Sequence, residues 1–283
     1  MPTRAIGHKG KRMNKILIIL ENMKSAQRLL EKARAFKPEQ IDVLCCDKES
    51  FVFSENLISD AQAKGYSIEV HHIDGQNAKE KESRIVSFLE QAESNLIILS
   101  RQWYEGEAPD FALIKAVLKQ ATHSKVLLCG DKKWSEPLKV LGTIDILDDS
   151  AAHSKLNMKV QATVDELSEL MAIESHALSI IPISQLGQDL VIVEPSEVLT
   201  EKGEATMTKL EAFTSNSPSE LSCTAHVAAG TPSKEIPAVA KKLKTDLVVM
   251  GNVGRKGLQG FFIGNTAERI LTHLSVDALI VKA

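Results

Sequence analysis

Aromatic residues and long apolar runs are both scarce in this chain of 283 residues. Aromatics make up 4% of the sequence, and no apolar run approaches the ~18 residues that a membrane-spanning helix needs. Acidic and basic residues nearly balance, at 37 Asp plus Glu against 34 Lys plus Arg. These absences argue against a membrane protein and against a nucleic-acid-binding protein, which needs a basic surface.

Cysteine is also rare, with four residues and no CxxC pair. Cys45, Cys46 and Cys129 lie within apolar runs typical of strands. Buried, reduced thiols are the favoured interpretation, and a redox role for the adjacent Cys45 and Cys46 is the alternative. Because neighbouring strand residues face opposite sides of a sheet, only one of that pair can point into a given layer.

The start of the chain resembles a secretory signal peptide only superficially. A basic stretch ends at Lys15, and the apolar run Ile16–Leu20 that follows stops at Glu21. This run is shorter than the ~7–15 apolar residues of a signal peptide. We interpret it as a buried strand behind a basic tail, and we predict a cytoplasmic protein.

Short apolar runs that alternate with helical stretches dominate the rest of the sequence. Runs of this kind, nearly continuous in apolar character, are typical of strands covered on both faces of a parallel sheet. Alternation of strand and helix predicts an α/β fold with right-handed crossovers. The predicted strands are Lys15–Leu20, Ile41–Cys46, Ser67–Ile73, Leu96–Leu99, Val126–Cys129, Val140–Ile146, Ala177–Ile183, Cys223–Ala228, Leu247–Met250 and Ala278–Val281. The predicted helices include Ser25–Phe36, Lys79–Ala92 and Glu201–Phe213.

The two halves of the chain repeat the same pattern. The segment Ile85–Leu99 matches Ile236–Met250 at a constant offset of 151 residues. This repeat predicts two tandem αβα sandwiches, each with a five-stranded parallel sheet. Because Gly130–Pro137 interrupts the pattern, we predict domains at residues 1–134 and 135–283.

A glycine-rich loop is the most informative feature. Residues 251–264 hold five of the 15 glycines, at Gly251, Gly254, Gly257, Gly260 and Gly264. Glycine lets a ligand approach the backbone, and a helix N-terminus attracts an anion. The loop lies between a predicted strand and a predicted helix, so it is a candidate phosphate cradle at the carboxyl edge of the sheet.

A purely structural loop remains the alternative. Asn265 and Glu268 have nearly the spacing of a capping box, with Asn265 as the cap. The loop carries neither a complete Walker A motif nor the dinucleotide pattern GxGxxG.

The pattern Gly251-x2-Gly254-x9-Gly264, followed by Asn265 and Thr266, resembles the adenine-nucleotide motif of the universal stress proteins. It is most similar to the tandem-domain, E-type members, although the family motif has Ser or Thr directly after the last glycine. The resemblance implies a Rossmann-like, adenine nucleotide alpha hydrolase-like fold. It also implies a small-molecule ligand, ATP or another adenine nucleotide, with Mg²⁺.

Further site residues follow from the resemblance by position. It places an acidic residue, here Asp145, at the end of the first strand, near the base and ribose; a turn aspartate is the alternative. The implied nucleotide site therefore comprises Asp145, Gly251, Gly254, Gly264, Asn265 and Thr266. His153 and Asn157 match E-type residues and lie four apart on one helix face. A capping or hydrogen-bonding role is favoured over chemistry for them.

The first half departs from this pattern. Glu21 stands where the acidic residue is expected, and residues 100–106 hold one glycine beside Trp103 and Tyr104. We predict a degenerate first domain and at most one nucleotide site per chain. Arg101, Trp103 and Tyr104 are interpreted as a packed interface or loop anchor, with a separate ligand site as the alternative.

No catalytic constellation is evident in the sequence. There is no GxSxG elbow, and His71 and His72 alternate faces of a predicted strand. Asp148 and Asp149 are interpreted as a solvated turn, with a Mg²⁺ role as the alternative. An enzyme is therefore not the favoured class.

Three functions stay open on this basis. The first is a cytoplasmic stress-response protein with an adenine nucleotide as regulatory ligand. The second is a nucleotide-independent module in which Ser184–Ser222 closes over a lipid-like molecule, and the third is a weak ATPase. The resemblance also implies an intrachain pseudo-dimer, with Val126–Cys129 against Ala278–Val281, and pairing of two chains into a homodimer.

Overall fold

The computed structural model of the protein describes residues 13–21, 23–46, 66–75, 77–101, 111–183, 194–217, 221–252 and 264–282. In the first half the elements are β1 (Lys15–Leu20), α1 (Met23–Ala35), β2 (Gln40–Cys45), β3 (Ser67–His72), α2 (Ala78–Gln91), β4 (Leu96–Ser100), α3 (Phe111–Gln120) and β5 (Lys125–Cys129). In the second half they are β6 (Leu138–Thr143), α4 (Ala151–Leu170), β7 (Ile173–Pro182), α5 (Pro195–Ser215), β8 (Cys223–Gly230), α6 (Pro232–Leu243), β9 (Leu247–Asn252), α7 (Asn265–His273) and β10 (Asp277–Lys282).

All ten predicted strands are present, and most boundaries agree with the prediction to within three residues, but two elements begin four or more residues earlier than the sequence pattern indicates. The strand β7 begins at Ile173 rather than Ala177, because its first residues alternate in polarity and escape a search for continuous apolar runs. The helix α5 begins at Pro195 rather than Glu201, since a proline suits the first helical turn and Glu197 suits its positive end.

Each half contributes five parallel strands, which confirms the predicted fold class. The strands form one ten-stranded sheet in the order β3-β2-β1-β4-β5-β10-β9-β6-β7-β8. Strands within a half are parallel, whereas β5 and β10 pair antiparallel, with Leu127 opposite Leu279. The implied pairing of the two last strands is therefore confirmed. The domain boundary at residue 134 stays a prediction.

The hydrophobic core is continuous across the junction between the halves. Alternate residues of a strand face opposite sides, so each face of the sheet has its own cluster. Leu127 and Leu279 belong to the cluster on one face, and Leu128 and Ile280 belong to the cluster on the other. Full burial of each such side chain contributes about 1.5–3 kcal/mol, so the halves stabilise one another.

The cysteines follow the expected pattern. All four are free thiols, and Cys45, Cys46 and Cys129 are buried. Cys45 and Cys46 belong to the clusters on opposite faces of the sheet, as the alternation of strand residues predicts.

A buried ion pair also joins the halves. The ammonium of Lys32 on α1 lies 2.7 Å from the carboxylate of Asp277 on β10, and both side chains are almost fully buried. Asp277 also accepts hydrogen bonds from the Gly130 amide and the Trp134 indole, each at 2.8 Å. Burial raises the pKa of Asp277, while Lys32 and these donors oppose the shift.

Each half caps the last helix of the other half. The guanidinium of Arg101, just after β4, donates to the Leu274 carbonyl at 2.6 Å and to the Leu271 carbonyl at 3.5 Å, at the end of α7. The ammonium of Lys282, at the end of β10, donates to the carbonyls of Leu118 and Ala121 at the end of α3. Cations suit the carboxyl ends of helices, where four carbonyls lack helical partners.

Arg101 is therefore a packed interface anchor, as expected, while Trp103 and Tyr104 lie outside the described residues. None of the helices in the described ranges is both long and apolar enough to cross a lipid bilayer.

Candidate functional site

A cleft of about 460 Å³ lies at the carboxyl edge of the second half's strands. The ends of β6, β7 and β9 form its base, and the first turns of α4, α6 and α7 surround it. Five of the six predicted site residues line this cleft: Asp145, Gly251, Gly264, Asn265 and Thr266. The sixth, Gly254, lies outside the described residues together with the rest of the loop, 253–263.

The floor of the cleft is apolar. It is lined by the buried side chains of Ile144, Leu156, Leu178, Ile236, Met250 and Ile270. These residues come from five different elements and the turn after β6, so the floor is a product of the tertiary fold. An apolar surface of this kind suits an aromatic ring or an aliphatic chain.

Gly251 has a packing reason for lacking a side chain. A Cβ atom at this position would lie 2.5 Å from Cγ of Leu156, a distance that real Cβ atoms essentially never show. A side chain at Gly251 would therefore displace the part of α4 that lines the cleft. Gly264 differs, because a Cβ atom there would meet nothing within 4 Å among the described residues.

The first turn of α7 has no side-chain cap. Gly264 is the N-cap residue and Asn265 is already helical, so the predicted capping box with Asn265 as the cap is wrong. The helix begins one residue earlier because the Glu268 amide bonds to the Gly264 carbonyl at 3.0 Å. The first turn of α7 therefore lies at the cleft with no side-chain cap among the described residues, and uncapped helix N-termini are suited to bind anions.

Asn252 was not among the predicted site residues. It is the last residue of β9 and only 2% exposed, and its Oδ1 accepts a 3.4 Å hydrogen bond from the Gly264 amide. Its Nδ2 group is buried and has no hydrogen-bond partner within the part of the chain that the structure describes, although the residue lines the cleft. Because an unpaired buried donor costs about 1–3 kcal/mol, such a group in a native fold calls for an acceptor. The sequence signal that could have identified Asn252 is a polar residue at the end of an otherwise apolar strand.

Asn157 holds the turn that carries Asp145. Its Oδ1 accepts a hydrogen bond from the Asp145 amide at 3.1 Å, and its Nδ2 donates to the Asp145 carbonyl at 2.8 Å. The hydrogen-bonding role predicted for Asn157 is thereby confirmed. The Asp145 carboxylate is about half exposed (51%) at the rim, two residues past the end of β6.

A second set of polar side chains lies at the start of α4. The side chain of Ser150 caps this helix by accepting a hydrogen bond from the His153 amide, and His153 Nδ1 lies 2.8 Å from Asp148 Oδ2. Hydrogen bonds from Ser150, and then the charge of His153, lower the pKa of Asp148. His153 thus takes part in the capping of α4, as predicted. Asp148 lies in an exposed turn, which was also the favoured interpretation.

Asp145, Asp148 and His153 each offer one ligand atom, and these atoms lie within 4.8 Å of one another. Carboxylate and imidazole groups are suitable ligands for divalent cations. Among the described residues of the cleft, Asp145 and His153 are the ionisable side chains, so this lining supplies no lysine or arginine for phosphoryl chemistry.

The additional helix of the second half does not cover the cleft. The helix α5 packs on β7 and β8, where Val198 contacts Ile181 and Ala229. Residues 194–217 contribute nothing to the described lining. The prediction that Ser184–Ser222 closes over the ligand is therefore wrong for residues 194–217, because the apolar side of α5 packs on the sheet.

The fold and cleft define a tandem α/β protein with a ligand-sized site at the carboxyl edge of its second half. The family model described as the universal stress protein family matches residues 158–282. This part of the chain is therefore similar to the universal stress protein family.

Curated relatives named as universal stress proteins match a similar share of the chain. Over 162 residues, 56% of this chain, it is 30% identical to Universal stress protein E of Salmonella typhi and 29% identical to that of Escherichia coli K12. The match covers 51% of each relative, so the chain spans about half of their length.

Two solved structures from Pseudomonas aeruginosa share the fold across nearly the whole chain. A functionally unknown protein from strain PAO1 has a TM-score of 0.74 at 20% identity, covering 95% of this chain and 92% of its own. A putative universal stress protein from strain UCBPP-PA14 has a TM-score of 0.73 at 21% identity, covering 95% and 93%.

Proposed function

We propose that this protein binds an adenine nucleotide, ATP in the first instance, in the cleft of its second half and uses it as a regulatory ligand in a cytoplasmic stress response. The observation that carries the proposal is the buried Nδ2 of Asn252, which has no partner among the described residues, beside the uncapped first turn of α7. A side-chain donor and a helix N-terminus thus lie together at the cleft, and such donors suit the oxygens of a phosphate chain.

The rest of the cleft suits the remaining parts of a nucleotide. Its apolar floor, which includes Leu178, Ile180 and Met250, offers a surface for an adenine ring. The exposed carboxylate of Asp145 stands at the rim, where it is available to the hydroxyls of a ribose. The carboxylates of Asp145 and Asp148 are the groups that would hold a Mg²⁺ ion, which would neutralise phosphate charge.

Calorimetric titration with ATP and Mg²⁺ tests this proposal through Asn252→Asp. The substitution keeps the shape and the acceptor of the side chain but replaces the free donor by a negatively charged oxygen. We expect the affinity for ATP to fall at least tenfold, because a buried carboxylate repels phosphate. Equal affinity of wild type and variant would contradict the proposal.

Asn95→Asp is the matched control. Asn95 lies before β4 in the other half, and its Oδ1 accepts a hydrogen bond from the Lys15 amide that an aspartate also accepts. This variant adds the same charge without altering the cleft, so we expect it to bind ATP like the wild type.

A nucleotide-independent function is the second candidate, and the apolar floor of the cleft favours it. In that case the ligand is a lipid-like molecule that needs no phosphate contacts. Native mass spectrometry of the purified protein separates the two candidates by the mass of any retained ligand, and it also reports whether two chains pair.

A weak ATPase ranks below both, since the described lining of the cleft holds no cationic side chain to stabilise a transferring phosphate.

A further inference from the structure

Arg101 occupies the position in the first half that Asn252 occupies in the second. The two residues are separated by the same 151 positions that relate the repeats, and each follows or ends the fourth strand of its half. Asn252 lines the cleft, and its buried Nδ2 has no hydrogen-bond partner among the described residues, whereas Arg101 donates to the end of α7 in the opposite half. The equivalent position therefore faces a cleft in one copy and a helix in the other.

We propose that Arg101 is a positioning residue for the cleft of the second half, so that the degenerate first half sets the affinity of a site it does not contain. The helix α7 connects the two features. Its first turn supplies Gly264, Asn265 and Thr266 to the cleft, and its last turn is held by Arg101.

The burial and the hydrogen bonds of Arg101 support this role. Its side chain is only 3% exposed, and burial lowers the pKa of the guanidinium to about 10, opposed by the charge of Asp277. A buried cation is costly unless it is well paired, so the geometry of its hydrogen bonds is strongly constrained. Arg101 therefore helps to set where the end of α7 lies, together with the buried side chains of Leu271 and Leu274.

Polar side-chain contacts at the first turn of α7 are few among the described residues. The N-cap Gly264 offers no side chain, its amide donates a long 3.4 Å hydrogen bond to Asn252, and the ion pair between Lys115 and Glu268 is partly exposed and so contributes little. Buried apolar residues of α7 pack in the core, and Arg101 adds a directional, hydrogen-bonded contact to this packing. The helix has nine residues, about two and a half turns, so its last turn lies close to its first. We expect a shift at the last turn to reach the amides at the first turn.

Lys282→Met is the matched control for Arg101→Met. Both residues are buried cations that cap the last helix of the opposite half, but α3, which Lys282 caps, contributes no described residue to the cleft. The two variants lose the same kind of contact, and the role proposed here predicts that only Arg101→Met changes the cleft.

The experiment has a ligand arm and a ligand-free arm. In the first, calorimetry with ATP and Mg²⁺ compares wild type, Arg101→Met, Arg101→Lys and Lys282→Met. We expect Arg101→Met to weaken ATP binding at least about fivefold, a typical coupling between distant sites. Arg101→Lys, which retains the charge, is expected to recover part of this loss, and Lys282→Met to match the wild type. Equal affinities for Arg101→Met and Lys282→Met would overturn the proposal.

The second arm measures amide hydrogen exchange without ligand, and it separates this proposal from the proposed function on which the first arm rests. We expect exchange across Asn265–His273 to accelerate in Arg101→Met and to remain unchanged in Lys282→Met. If wild type binds no ATP, the nucleotide function fails and this arm alone decides: unchanged exchange in α7 overturns the role of Arg101. Should Arg101→Met not fold, Arg101→Lys serves in both arms, with smaller changes in the same direction expected.

Discussion

Leu156 fills the space that the missing side chain of Gly251 leaves at the floor of the cleft. Its Cγ would lie 2.5 Å from a Cβ atom on residue 251, so the two positions are sterically coupled. The first glycine of the motif is therefore needed for packing between β9 and α4. This pair links the motif to the shape of the cleft.

Gly251→Ala is expected to destabilise the protein by about 1–3 kcal/mol, since it overpacks a buried contact. Leu156→Ala in the same chain removes the overlap, so the double variant is expected to be more stable than the sum of the two single changes predicts. Urea unfolding of the four proteins measures this coupling. Additive effects would contradict the steric account.

Gly264→Ala is the control, and we expect it to cost less than about 1 kcal/mol because the space around it is open.

Asn157→Leu is expected to loosen the turn at Asp145. The change removes two hydrogen bonds and leaves the amide and carbonyl of Asp145 without these partners, at a cost of about 1–3 kcal/mol. Chemical denaturation measures the cost. Replacement of the exposed neighbour Met158 by leucine serves as the control, with no change expected. Wild-type stability of Asn157→Leu would show that the turn is held by other contacts.

Lys32→Met is expected to destabilise the protein by about 3–5 kcal/mol at neutral pH, because it leaves the Asp277 carboxylate buried without its cation. Burial already raises the pKa of Asp277, so protonation favours the folded state as the pH falls. The loss is therefore expected to be smaller near pH 4 than at pH 7. Urea midpoints of wild type and variant at both pH values check this, and a loss independent of pH would contradict it.

Lys282 is expected to give the stability a pH dependence on the alkaline side. Burial lowers the pKa of its ammonium to about 8, from an ordinary value of 10.5. Between these values the unfolded state binds more protons than the folded state, so the free energy of unfolding rises with pH across this window. The difference in urea midpoint between wild type and Lys282→Met, followed from pH 7 to 11 in steps of about one unit, isolates this contribution. A flat difference would contradict the lowered pKa.

The sequence was sufficient to predict the architecture because the buried strands leave a strong local signal. Runs such as Leu96–Leu99 and Leu247–Met250 are continuous in apolar residues, and the offset between them identified the repeat. The starts of β7 and α5 leave a weaker signal than the apolar runs do, so the sequence placed these starts too late in the chain. The pairing of β5 with β10 came from the family resemblance, since nothing in either strand alone specifies its neighbour.

The candidate site was predictable only where it is local in the chain. Gly251, Gly264, Asn265 and Thr266 share one motif, and the fold brings them to the cleft with Asp145. The apolar floor, the packing of Gly251 against Leu156 and the orphaned donor of Asn252 depend on contacts between distant elements. Arg101 was expected to be an anchor, but its partner on α7 lies 173 residues away, beyond the reach of any sequence pattern.

The most direct test of the nucleotide site is a crystal structure of the protein grown with a non-hydrolysable ATP analogue and Mg²⁺. The account predicts one nucleotide per chain, with phosphate oxygens on the first amides of α7 and on Nδ2 of Asn252, and with adenine on the apolar floor. A cleft that excludes the analogue, with Asn252 and those amides bonded to the protein's own loop instead, would contradict it.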